Sequence, residues 1–118
     1  MIATYRQGDL LMLFDPIKIP KGSPLAHPIL IISSNRSNNY ENFYTGVMMS
    51  STSHTDRFTF SCEDGMFDSP LVKKNCQLRM YILLSFKAIE VKGLLNRIKP
   101  IHLTAVLRQI KELVFSID

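Results

Sequence analysis

Apolar residues in this chain come in short blocks divided by polar punctuation, and only near the C-terminus does their spacing become helical. Asp9 to Phe14 is a compact apolar run after Gly8 and predicts a first strand. His27-Pro28-Ile29-Leu30-Ile31-Ile32-Ser33 and Phe43 to Ser51 predict two more. Both are almost continuously apolar and end in hydroxyl side chains, as buried strands do when they deliver polar groups to a rim. Arg57 to Cys62 alternates, with Phe58, Phe60 and Cys62 on one face and Arg57, Thr59 and Ser61 on the other. Leu78, Met80, Ile82, Leu84 and Phe86 alternate with Arg79, Tyr81, Leu83 and Ser85. That period predicts a strand with Arg79 and Tyr81 on one face, a short helix being the alternative. Ala88 to Val91 predicts a further short strand before Gly93.

The connectors have their own chemistry. Asp15 to Ala26 holds Pro16, Pro20, Pro24 and Gly22 with Lys18 and Lys21 between them, which predicts a long exposed loop of the kind that often binds or covers ligands. Asn35 to Glu41 predicts a turn-rich connector, because asparagine and serine side chains satisfy nearby backbone groups. Glu63-Asp64-Gly65 predicts a turn. At the C-terminus Leu103, Val106, Leu107, Ile110, Leu113, Val114 and Ile117 follow helical spacing, with Pro100 near the start where its missing donor does little harm. Many short strands closed by one amphipathic helix predict a single mainly β domain over residues 1–118, a small barrel with a C-terminal helix.

Composition adds bounds. At 118 residues, 46% hydrophobic and 20% charged, the chain has enough apolar material for a core and is not a disordered sequence. A net charge of +4 favours a polyanionic or acidic partner. Cys62 and Cys76 have no metal-ligand or redox spacing and are expected as buried thiols. No apolar run approaches the ~20 residues that cross a bilayer, and no signal-peptide layout opens the chain, so a cytoplasmic protein is expected.

Several of these segments resemble the MazF/PemK (Kid-like) toxins, which share an SH3-like barrel with the CcdB gyrase poisons. Gly8-Asp9 opens the first strand before a long loop. His27-Pro28-Ile29-Leu30-Ile31-Ile32-Ser33 is similar to the family's Arg-Pro-apolar-Ser strand, and the segment ending Ser51-Thr52-Ser53 to its apolar-Thr-Ser stretch. Leu71-Val72-Lys73-Lys74-Asn75-Cys76 resembles a leucine-lysine-serine segment, and the final helix also fits. The resemblance implies a homodimer that cleaves single-stranded RNA without metal or cofactor and is silenced by a partner antitoxin. One departure stands out: His27 occupies the position of the family's catalytic arginine. A non-catalytic toxin that binds a protein such as gyrase, or a diverged nucleic-acid-binding barrel, is the alternative.

RNA cleavage by its own 2′-hydroxyl needs a base for that hydroxyl, an acid for the leaving 5′-oxygen, and cations or donors for the phosphoryl oxygens. His27 is the expected proton-transfer group, against the plain reading of an inert strand-edge histidine. Thr52 is expected to orient the phosphate, with Ser51 and Ser53 as register alternatives. Arg79, set between Leu78 and Met80, is expected to supply the missing guanidinium, its plain role being a barrel-edge or interface arginine. His54 is a reserve proton donor, Arg57 a weaker phosphate contact and Tyr81 a neighbour of Arg79. Arg36 and Tyr40, with Phe43 or Tyr44, interleave a cation with aromatics on which bases stack, one of the adjacent pair being core. Lys73 and Lys74 read as a solvated turn and His102 as structural. No carboxylate or cysteine cluster offers a metal site.

Overall fold

The computed structural model describes residues 3–18, 26–51 and 55–118. Its elements are β1 (Asp9–Leu13), β2 (Pro28–Ile31), α1 (Asn35–Glu41), β3 (Phe43–Ser50), β4 (Thr59–Ser61), β5 (Gln77–Lys87), β6 (Val91–Arg97) and α2 (Pro100–Leu113). The strands form one antiparallel sheet in the order β4-β5-β3-β2-β1-β6. The segment after β4 returns to cover β6: Phe67 bridges Ile98, the Asp68 N–H donates to the Arg97 carbonyl at 2.9 Å, and the Lys99 N–H donates to the Met66 carbonyl at 2.8 Å. These contacts bring the two ends of the sheet together around a core, a small barrel-like α+β fold.

Both sheet faces are buried at its centre, which is why the strand segments read as continuous apolar runs. Leu10, Leu30, Val47, Leu78 and Met80 pack with Val106 and Ile110 of α2 in a first core. Their chain neighbours Leu11, Ile29, Ile31 and Met48 join Tyr44 and Phe86 in a second. Of the adjacent aromatic pair, Tyr44 is the core member, fully buried, while Phe43 is 42% exposed. The loop after β1 is not exposed throughout, since Ile17 is buried in the second core; residues 19–25 lie outside the described residues.

Gly8 takes φ +94°, a conformation that glycine enters freely, and so turns the chain into β1. Asp9 follows, 2% exposed, accepting from the Arg6 N–H at 2.9 Å and from Arg97 Nε at 2.7 Å. This ion pair ties β1 to the end of β6. Asp9→Ala is expected to lower stability by about 2–3 kcal/mol, because it strands a buried N–H and removes a charged hydrogen bond. The half-exposed Arg97 guanidinium regains water, which keeps the loss from being larger. Urea denaturation measures it.

Four expectations change. Asn35–Glu41 is a helix, not a turn-rich connector. Its hold is tertiary: the Ser34 hydroxyl caps the Ser37 N–H at 3.1 Å, and Asn42 ends the helix at φ +52°. Asn38 is fully buried and bonded to Ser33, whose own hydroxyl accepts from the Thr45 N–H at 2.9 Å. Ser33 is therefore an anchor for α1 and no part of a reactive rim. Second, the single alternating face expected along β5 does not exist. β3 advances one residue, from Val47 to Met48, while β5 steps from Leu83 to Arg79, so Met80, Tyr81 and Ile82 bulge out. Leu78, Met80 and Leu83 pack on the first core, and Ile82, Leu84 and Phe86 on the second. Third, Ala88–Glu90 is a 3-10 turn, and the strand is Val91–Arg97, running through Gly93. Fourth, Ile117 lies beyond α2 and is fully exposed.

Candidate active site

The register across β2, β3, β5 and β4 aligns residues in rows perpendicular to the strands. Ile29 pairs with Met48, Met48 with Arg79, and Arg79 with Thr59. Ser50 pairs with Gln77 and Gln77 with Ser61 in a second row near the strand ends. Continued two residues past Ile29, the β2–β3 register brings His27 level with Ser50. Paired residues share a face and successive residues alternate. Ile29 and Met48 mark that face as the side of the second core. His27, Ser50, Gln77 and Arg79 thus stand together on it at one end of the sheet.

His27 is partly buried, and among the described residues its Nε2 meets no hydrogen-bond partner. Burial is the largest influence on the imidazole and lowers its pKa from the usual histidine value; a backbone hydrogen bond at Met49 opposes this, and the Arg79 and Lys73 charges reinforce it. A neutral ring at neutral pH results, beside two cations. His27 also lines a cavity of about 420 Å³ whose walls include Pro28, Met49, Ser50, Ser51 and Lys73. A second cavity of about 410 Å³ adjoins it, with Leu71, Lys73 and Cys76 lining both.

Of the expected site residues, the structure brings His27, Arg79 and Ser51 to this end of the sheet. Ser51 is exposed and lines the first cavity. Thr52, Ser53 and His54 lie outside the described residues. Arg57 and Tyr81 form a flank beside Arg79: the Arg57 guanidinium sits 5.3 Å from the Phe58 ring centre, and Phe58 meets Tyr81 edge-on at 6.5 Å. Phe58 thereby leaves the apolar face expected for it. Arg36 and Tyr40 are exposed on α1, which precedes Phe43 at the opposite end of β3. The length of that eight-residue strand, about 24 Å at ~3.4 Å per step, separates them from Ser50 within one chain.

Three contributors escaped the sequence reading. Lys73 is not simply a solvated turn residue, since it lines both cavities and its charge acts on His27. Its neighbour Lys74 instead pairs with Asp64 at 2.7 Å. Ser50 and Gln77, 3% and 2% exposed, stand at the polar margins of apolar runs, where side chains read as exposed, and only the pairing register reveals that they share a face with His27. Cys62 and Cys76 are buried thiols as expected, the Cys62 thiol pushed up to about 12 chiefly by burial. Among the described residues no cluster of three metal-ligating side chains occurs, and no helix is long and apolar enough to cross a membrane.

No protein-family model matches the sequence, and a search of curated proteins returns no match. Solved structures do share the fold. An endoribonuclease from a mycobacterial species, in complex with its cognate antitoxin, superposes with a TM-score of 0.72 at 15% identity, covering 98% of this chain and 99% of that one. MazF from Deinococcus radiodurans gives 0.69 at 12% identity, covering 98% and 100%. The MazE–MazF structure from the same organism gives 0.68 at 13% identity, covering 96% and 97%. The chain therefore has the MazF fold over nearly its whole length.

Proposed function

We propose that the protein is a MazF-like toxin, an endoribonuclease that cuts single-stranded RNA without metal and is neutralised by an antitoxin. The observation that carries this reading is the His27 imidazole, whose buried Nε2 meets no partner among the described residues, set beside Arg79 and Lys73 on the MazF fold; burial lowers its pKa and so favours the neutral ring. A neutral imidazole takes the proton of the ribose 2′-hydroxyl. The 2′-oxygen then bonds to phosphorus, the bond from phosphorus to the 5′-oxygen breaks, and the 5′-oxygen leaves with a proton from water. Products are a 2′,3′-cyclic phosphate and a 5′-hydroxyl. Arg79 and Lys73 hold the charge that gathers on the phosphoryl oxygens. The lowered His27 pKa favours the base role over the acid role.

The proposed partners are RNA, an acidic antitoxin segment suited to a chain of net charge +4, and a second copy of this chain. The solved relatives include toxin–antitoxin complexes, which supports the antitoxin. A cytoplasmic location follows from an RNA substrate.

Purified protein incubated with single-stranded RNA in EDTA tests the activity. Cleavage with cyclic-phosphate ends is expected at a rate unchanged by the chelator. Intact RNA, together with inhibited DNA supercoiling, would replace this reading with a protein-target toxin. Arg79→Lys keeps the charge but loses the planar fork, so it is expected to reduce cleavage less than Arg79→Ala does.

A further inference from the structure

Gln77 carries a feature that packing does not explain. It is 2% exposed, and its Oε1 is buried with no hydrogen-bond partner among the described residues. Its Nε2 donates only a long bond, 3.3 Å, to the Asn75 carbonyl. A methionine would fill the same volume without an orphaned acceptor, and buried polar groups in folded proteins are overwhelmingly paired. Gln77 shares the His27 row of the sheet, two strands away and so about 10 Å across. His27 Nε2 and Gln77 Oε1 are therefore two unpartnered polar atoms on one face, at one sheet end. Each residue lines one of the adjoining cavities, His27 the first and Gln77 the second, with Lys73 in the wall of both. Besides Gln77 the second cavity is lined by the polar side chains of Thr55, Ser61 and Asn75 and by the Glu63 and Asp64 carboxylates, the latter paired with Lys74.

We infer that the second cavity is a base-reading pocket, in which Gln77 Oε1 accepts from the exocyclic amino group of a nucleobase next to the phosphate held at His27. This rests on RNA as the ligand of the His27 site. The terminal torsion of a glutamine is soft, so the loosely held amide turns toward an incoming donor at small cost. With Nε2 kept on Asn75, the open valence is an acceptor. Adenine, cytosine and guanine present an amino group to it. Uracil has no amino group: it presents carbonyl oxygens at those positions, acceptor against acceptor, and its one donor, N3–H, is set back between them, so it suits Oε1 less well.

Binding of non-cleavable RNA separates this inference from the proposed activity. Fluorescein-labelled 2′-O-methyl hexanucleotides, identical except for one base beside the central phosphate, are titrated by anisotropy into wild type, Gln77→Met and Gln77→Glu. Wild type is expected to bind the amino-bearing bases about 10-fold more tightly than uracil at one position, within the range of a good base contact. Gln77→Met is expected to abolish that preference, keep the binding common to all four oligonucleotides, and melt at the same or a higher temperature than wild type. Gln77→Glu retains an acceptor and is expected to retain the preference. Equal binding of uracil by wild type, no binding of any oligonucleotide, a preference that survives Gln77→Met, or a lowered melting temperature for that variant each overturns the inference. Base-selective binding that depends on Gln77, in a protein that leaves RNA uncut, would sustain the pocket and sink only the nuclease reading.

Discussion

His27→Ala is expected to lower RNA cleavage by roughly 10²–10⁴-fold, the usual range for a lost general base. The effect should fall chiefly on the rate: Nε2 supports no neighbour among the described residues, and the loss of the ring's backbone hydrogen bond at Met49 costs about 1 kcal/mol of stability, too little to unfold the protein. The pH profile distinguishes the base from a structural ring. Burial, with Arg79 and Lys73 adding to it, depresses the His27 pKa, so the imidazole remains neutral throughout the neutral range. Wild-type activity should therefore be flat near pH 7 and fall on the acid side, below the ordinary histidine value of ~6.5. The same shift acts on stability with a definite sign. Below ~6.5 the unfolded chain takes a proton that folded His27 resists, so the contribution is intact above that pH and is lost as pH falls through the folded pKa. His27→Arg supplies the residue of the MazF/PemK pattern and should rescue cleavage only if charge, not proton transfer, is the task at this position. If His27→Ala cleaves like wild type from pH 5 to 9, the assigned site is wrong.

Gly46→Ala is expected to be the most damaging small substitution in the sheet. A Cβ built at this position would lie 2.7 Å from Ile29 Cδ1 and 2.9 Å from the Leu30 carbonyl oxygen, and it would also strike Ile29 Cγ1. The side chain can yield, but the carbonyl belongs to the β2–β3 ladder and moves only with the strand. Overpacking of this kind reaches about 3 kcal/mol. At roughly 4 °C per kcal/mol for a domain of this size, the melting temperature should fall by about 10 °C. Calorimetry of Gly46→Ala alone and combined with Ile29→Ala gives a double-mutant cycle. The pair should be less than additive, because Ile29→Ala removes the side-chain clash and leaves only the backbone one. An additive cycle would mean that Ile29 is not what the new methyl meets.

The strands of this fold were legible because both sheet faces are apolar. Ile29, Leu30 and Ile31 alternate between two cores, so every position asks for a hydrophobe. α2 was legible because one stripe, centred on Val106 and Ile110, faces one core. α1 was not, since its sequence is Asn-Arg-Ser-Asn-Asn-Tyr-Glu and no apolar stripe exists to find. Its asparagines are spent on distant backbone: Asn35 accepts from the Gln7 N–H and Asn39 from the Ala3 N–H, each at 2.8 Å. Such bonds cannot be seen until the N-terminal segment is in place. At the site, His27 and Arg79 were visible as polar residues at the margin or interior of apolar runs. Their sharing of a face was not, because it depends on register. Gln77 was invisible for the same reason, lying just before an apolar run, where a polar residue reads as a strand's exposed start.

The bulge in β5 constrains how the length of this chain can vary. Three extra residues are an odd number, so Leu78 and Met80 face the first core while Ile82, Leu84 and Phe86 face the second. What fixes the two halves is their pairing with β3, Leu83 on Val47 and Arg79 on Met48, and the three bulged residues lie outside it. Arg79 and Leu83 therefore keep their opposite faces when the bulge is shortened, whereas one residue removed between Leu83 and Phe86 would slip the register and drive Phe86 out of its core. A library of length variants should accordingly return folded proteins for changes at Tyr81, the exposed residue of the bulge, and not for single-residue changes in the paired stretch beyond Leu83.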